Sequence, residues 1–252
     1  MTSTTPRRWK LRAVSVLALT ASGWALAAET PVSIVASACP AIPANRLVNI
    51  NTAQSLIAGQ SIVLAVAVDS ADAPDLVVSG PAGVAWSTLG GHKSETSDRS
   101  VLLLRGTATQ AVASGAGFTL GFSQVEAARS VCVRGMRYTS FISGGSANLT
   151  DGQAQGLAAD SPVVDGKQSV AGGMAIAAFI FEANPNALTL TPGTAVSDGG
   201  ACNAALNLCL RVAHQGDVSG AALIGIAPAS TSNWQATLAV LNAPGLFKDG
   251  FE

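Results

Sequence analysis

Charged side chains are scarce in this 252-residue sequence, at 12%, about half the share of an ordinary soluble domain. With 48% hydrophobic residues beside it, that scarcity excludes a disordered chain, which needs the opposite balance. Basic residues are few, so no nucleic-acid partner is expected, because that affinity rests on neutralised phosphates. The same shortage makes the chain a poor ligand for anionic membranes. Histidine occurs twice, at His92 and His214, which leaves two candidates for any imidazole base. Aromatics stand at 5%, against the row of rings that sugar-binding modules present. Past the N-terminus no apolar run is long enough to span a membrane. The nearest, Met174 to Phe181, stops at Glu182, well short of the about 20 residues a span needs.

The N-terminus has the layout of a secretory signal over residues 1–28. Arg7, Arg8, Lys10 and Arg12 precede an apolar run from Ala13 to Ala28 that closes on Ala25-Leu26-Ala27. A basic start, a short apolar stretch and a small-x-small end are what a signal peptidase reads, and cleavage is expected after Ala27 or Ala28. Trp9-Lys10-Leu11 after Arg7-Arg8 departs from a twin-arginine pattern. Cys39 follows Ala36-Ser37-Ala38 in a lipobox-like arrangement, but Glu29 and Pro31 separate it from the apolar run. Of the 14 Lys and Arg, four leave with the leader, and none of the 15 Asp and Glu do. The mature chain, about 224 residues long, then carries a net charge of about −5.

That chain reads as all-β. Short segments rich in Val, Ile, Leu and Thr recur between Gly, Pro and Asp turn signals, the pattern of an antiparallel sandwich, Ig-like or jelly-roll-like. Ser61 to Val68 is the strongest: Ile62, Leu64, Val66 and Val68 share one face, and Val63, Ala65 and Ala67 the other. Two apolar faces predict a strand buried between layers. Gly83 to Leu89 reads as a strand followed by a polar turn from Gly90 to Glu95. Ser130 to Ile142 alternates, with Cys132, Arg134, Met136 and Tyr138 on one side. Ser143-Gly144-Gly145-Ser146, Asp151-Gly152 and Asp165-Gly166 mark residues 146–168 as a loop-rich connector. It would divide a β-sandwich domain, 29–145, from a second β region, 169–243; a single sandwich with a crossover remains the alternative. No repeat of fixed period is present.

Four cysteines in an exported chain imply two disulfides. Cys202–Cys209 encloses a short stretch next to a strand, and Cys39–Cys132 would tie the N-terminal segment to a middle strand. Zinc at Cys202, Cys209 and His214 lacks a C-x₂-C knuckle and a fourth ligand.

The tail, residues 244–252, ends Leu246-Phe247-Lys248-Asp249-Gly250-Phe251-Glu252. It resembles the aliphatic-Phe-x-x-Gly-Phe-Glu ending of many otherwise unrelated exported proteins of some Gram-negative bacteria. The resemblance implies export and covers only the tail and the leader; it carries no activity.

Candidate chemistry is sparse. No G-x-S-x-G elbow accompanies either histidine, and both read as surface-loop residues. Glu126 and Glu182 sit in apolar sequence, where burial would raise a carboxyl pKa toward that of an acid catalyst. Asp69, Asp72 and Asp75 follow the strongest strand, and their oxygens are the candidate calcium ligands. An ordinary solvated turn around Pro74 is the competing reading. Trp234 follows a polar loop and is a candidate exposed ring; with Trp86 and Tyr138 it is the most a glycan site has to draw on. Asn148-Leu149-Thr150 matches a glycosylation sequon by chance. The expectation is an exported non-catalytic β-sandwich with a structural or interaction role and an unidentified protein or surface partner. A calcium- or glycan-binding module and a secreted hydrolase are the alternatives. A fimbrial subunit that lends residues 32–38 to the next copy is a special case, in which Cys39 would tether the strand.

Overall fold

The computed structural model describes residues 32–69, 76–93, 99–123, 129–138, 152–156, 163–182, 188–190, 195–228 and 233–241. The leader, Asp72, Asp75, Glu126, the sequon and the tail lie outside these residues. The first eight strands are β1 (Val32–Ala38), β2 (Leu47–Asn51), β3 (Ser61–Val68), β4 (Leu76–Ser79), β5 (Val84–Lys93), β6 (Ser100–Ala108), β7 (Gly117–Phe122) and β8 (Val131–Tyr138). The others are β9 (Gly152–Gly156), β10 (Val163–Phe181), β11 (Leu188–Leu190), β12 (Ala195–Asn203), β13 (Leu208–Pro228) and β14 (Trp234–Leu241), with a short 3-10 turn at Ala204–Leu206. Among the described residues no helix is long and apolar enough to cross a membrane.

The strands form three antiparallel sheets packed together, as the all-β sandwich reading expects. The middle sheet has the order β1-β8-β3-β6-β5, and a smaller outer sheet the order β2-β7-β4. The C-terminal sheet runs β11-β13-β10-β14-β9, with β12 pairing β13 as well. Every residue of β3 is buried, and its two faces enter different cores, because successive side chains point to opposite sides of a strand. Ile62, Leu64, Val66 and Val68 meet Phe118, Leu120 and Phe122 of the outer sheet. Val63, Ala65 and Ala67 meet Met174, Ile176, Ala178 and Ile180 of β10, Leu210 and Val212 of β13, and Leu241 of β14. The regions before and after the expected connector therefore share one core. A third cluster, including Phe179, Phe181, Trp234, Leu238 and Val240, lies on the far face of the C-terminal sheet.

Three segments differ from expectation. The polar turn read at Gly90-Gly91-His92-Lys93 is the end of β5, which pairs with β6 through Lys93. A register shift between Thr88 and Gly90 absorbs an extra residue, the usual use of glycine in a bulged strand. The connector, 146–168, contains β9 and the start of β10. His214, read as a loop residue, lies inside β13 and is buried.

At the edge of the middle sheet, β1 pairs with β8 and places Val35 opposite Gly135. A Cβ on Gly135 would lie 2.7 Å from Val35 Cγ2, so the glycine is the socket that seats the β1 strand. Gly135→Ala is expected to destabilise the fold by about 1–3 kcal/mol through overpacking. Combined with Val35→Ala it should cost less than the sum of the two single changes, as a urea-denaturation double-mutant cycle would show.

Candidate functional site at the junction of the middle and C-terminal sheets

Several polar groups that tie the two sheets together gather at one end of the stack. There β3 ends, β6 and β8 begin, β10 ends, and β13 and β14 begin. Asp69 follows β3 and is buried. Its Oδ1 stands 3.6 Å from Arg99 Nε, and its Oδ2 lies 3.3 Å from Arg129 NH1. Arg99 precedes β6 and reaches across to the C-terminal sheet, where its NH1 meets Glu182 Oε1 at 2.7 Å. Asn233, just before β14, donates from Nδ2 to Glu182 Oε2 at 2.8 Å, and the Glu182 main-chain N–H donates to Asn233 O at 3.1 Å. One chain of contacts thus runs from Arg129 through Asp69, Arg99 and Glu182 to Asn233.

A second tie lies beside it. Cys39–Cys132 fastens the end of β1 to β8, and Cys202–Cys209 fastens β12 to β13 across a directly opposed pair. Both pairings are those expected from the sequence. Cys132 Sγ lies 3.7 Å from Leu208 O. Asn203 Nδ2 donates to Ser130 Oγ at 3.3 Å and to Cys39 O at 3.5 Å. Asn203 and Leu208 are the ladder pair next to Cys202 and Cys209. The cross-linked tip of the β12–β13 hairpin is therefore docked on the other disulfide.

The sequence-predicted residues separate on this frame. Glu182 belongs to the junction, a third exposed, with an arginine on one oxygen and an amide on the other. Asp69 belongs to it too, facing two guanidinium groups; its proposed calcium co-ligands Asp72 and Asp75 lie outside the described residues. Among the described residues no group of three or more His, Cys, Asp or Glu is placed to hold a metal ion. His214 is remote from Asp69 along β13. Its ladder neighbours are Ile176 on β10 and Val196 on β12. Trp234, read as a candidate exposed ring, is buried in the third cluster, because β14 begins at that residue. Trp86 packs on Phe118 at 5.7 Å between ring centroids, and its Nε1 donates to Gly80 O at 2.7 Å. Trp234 is thus no exposed ring, and Trp86 is partly buried against the first core.

Arg99, Asn233 and Asn203 were missed by the sequence reading. Each sits at a strand boundary with no periodic signal, and only the stacking of the sheets gives it a partner. Away from the junction, Arg105 reaches Ser61 Oγ from Nε at 3.3 Å and from NH2 at 3.1 Å. Burial holds the Arg105 guanidinium below its ordinary pKa, and Arg211 likewise.

Comparison with protein-family models, with curated proteins and with solved structures finds no match to this chain. What the junction does chemically is join two sheets through charge and amide contacts, beside one disulfide within each sheet.

Two measurements test that role. Asp69→Asn removes the buried anion that faces Arg99 and Arg129 and is expected to cost about 2–3 kcal/mol in urea unfolding. Glu182→Gln should cost less than about 1 kcal/mol, because that side chain is 32% exposed. The disulfides close loops of very different length, with sequence separations of 93 and 7 residues. Replacing Cys39 and Cys132 by Ser is expected to cost about 4–5 kcal/mol, and replacing Cys202 and Cys209 about 2–3 kcal/mol, on chain-entropy grounds. Thermal unfolding of the two double variants reads the order.

Proposed function

We propose that the chain is exported by a leader cleaved after Ala27 or Ala28 and works beyond the cytoplasm as a non-catalytic β-sandwich. Its role there is structural or interactive, at the envelope or outside the cell. The observation that carries this reading is the use to which the scarce acids and bases are put. Of the residues the sequence offered for catalysis or metal binding, Asp69 and Glu182 join two sheets, and His214 is buried within one. Two disulfides support the location, since such bonds persist in oxidising compartments. The tail's likeness to endings of exported proteins agrees with it. The shortage of basic residues argues against nucleic acid as the partner.

The test is expression of the full chain in a Gram-negative host, followed by fractionation and intact-mass analysis. The expected product lies outside the cytoplasm, begins at Ala28 or Glu29 and has all four cysteines oxidised. A cytoplasmic, full-length, reduced product would overturn the export reading. Turnover of an ester or glycoside panel that disappears in His214→Ala or Glu182→Gln would overturn the non-catalytic one.

A further inference from the structure

The outer sheet has an edge that nothing among the described residues covers. Along β2 the main-chain bonds to β7 are made by the even-numbered residues. Phe122 N–H donates to Arg46 O at 3.1 Å, and Thr52 N–H donates to Ala116 O at 2.9 Å, and in an antiparallel ladder such bonding pairs recur every second residue. The odd-numbered residues Leu47, Asn49 and Asn51 therefore turn their N–H and C=O groups outward. The Leu47 N–H is taken by Asn45 Oδ1 at 3.2 Å. Those of Asn49 and Asn51 have no described strand beside them.

Open edges are usually guarded by bulges, charge, proline or brevity. Most of the other described edges follow that rule. Register shifts interrupt β1, β5 and β12. β4 has four residues and β11 three. β9 is five residues long, uncharged and unbroken in register with β14, but it lies close to β5 of the middle sheet. β2 is short, at five residues, but lacks the other protections: its register with β7 is unbroken from Leu47 to Asn51, and it holds neither charge nor proline.

We propose that β2 pairs, antiparallel and about a two-fold axis at Asn49, with β2 of a second copy of this chain. In that register each Asn49 exchanges N–H···O=C bonds with the Asn49 of the other copy. Each Asn51 N–H donates to the other copy's Leu47 carbonyl. On the inner face Val48 comes opposite the second copy's Ile50. Val48 is buried and Ile50 only partly buried in the first core, so pairing continues that core across the joint. On the outer face Leu47, which is 46% exposed, comes beside the second copy's Asn51. Charge favours the same partner. β2 carries none, and the two Arg46 side chains would stand about 20 Å apart at strand spacing, beyond the screening length of about 8 Å at physiological salt.

A five-residue edge makes a small interface, of the class below about 1,200 Å² that weak associations occupy, and a dissociation constant of about 100 μM is expected. The pairing gives the interaction role above a partner and rests on that reading only there; a monomeric product would leave export untouched.

Sedimentation velocity of the mature, oxidised chain from about 10 μM to about 1 mM tests it. The wild type should shift from monomer to dimer across that range. Asn49→Pro removes an N–H that β7 does not use, at an edge position where proline is tolerated. Asn49→Lys keeps the N–H but sets like charges against each other at the axis. Each should weaken association more than 10-fold while leaving the melting temperature within a few degrees of wild type; if the proline variant does not fold, the lysine variant decides. A wild type monomeric at the highest concentration, or a dimer that both variants leave unchanged, would overturn the proposal.

Discussion

The structure depends on one strand being apolar on both sides. Most antiparallel sheets keep one face in water, and their strands alternate accordingly. β3 does not: all eight of its residues are buried, so the middle sheet must be covered twice. The two faces are unequal. Ile62, Leu64, Val66 and Val68 are large and meet the aromatic rings of the outer sheet. Val63, Ala65 and Ala67 are smaller and face a C-terminal sheet whose own contribution includes Ala178 and Ala239. A slip of one residue in β3 would exchange the two sets, and with a period of two every side chain would change core. Register is specified here by size as well as by polarity.

In a sheet covered on both faces the ends are the least costly place for ion pairs, since a pair in the middle of a dry interface carries a desolvation penalty that its attraction rarely repays. That accounts for where the polar ties lie. Asp69, Arg99, Arg129, Ser130 and Cys132 belong to one end of the middle sheet, and Glu182, Asn203, Leu208 and Asn233 to the facing end of the C-terminal sheet. Water still reaches the carboxylate of Glu182 and the guanidinium of Arg129, which lowers the penalty. The disulfide is different in kind, because it holds the β1 edge without any charge to desolvate. The C-terminal sheet gains its attachment at this end from Glu182 after β10 and from Asn203 at the tip of the β12–β13 hairpin.

Much of this architecture was legible in the sequence. The double apolar face of β3 announced a buried strand, and the two disulfide pairings followed from loop lengths and strand positions. Alternation in β8 assigned Cys132 and Met136 to one side, and both are in the core shared with the C-terminal sheet. Other features were hidden for physical reasons. Gly90-Gly91 has the composition of a turn, and only pairing with β6 holds it in a strand. His214 is polar and next to Gln215-Gly216-Asp217, so composition argues for a loop, while the ladder with β10 buries it. Glu182 was noticed for its apolar surroundings, but its partner Arg99 is 83 residues away in sequence and no local pattern connects them. Polar residues at strand ends have no period, and their partners exist only once sheets stack.

The scarcity of charge that opens the sequence also shapes its edges. A protein rich in lysine guards an exposed strand with the side chains of that strand. This chain has few charges to place, so most of its edges are closed by geometry: bulges in β1, β5 and β12, short strands at β4 and β11, neighbours around β9. Geometry of that sort bends a strand or ends it, and neither has happened to β2. Its five residues are straight in register, uncharged and flanked by a core that is incompletely closed at Ile50. In a chain that has disarmed most of its other described edges, β2 is the place where a neighbour of matching register would gain main-chain bonds and apolar cover together.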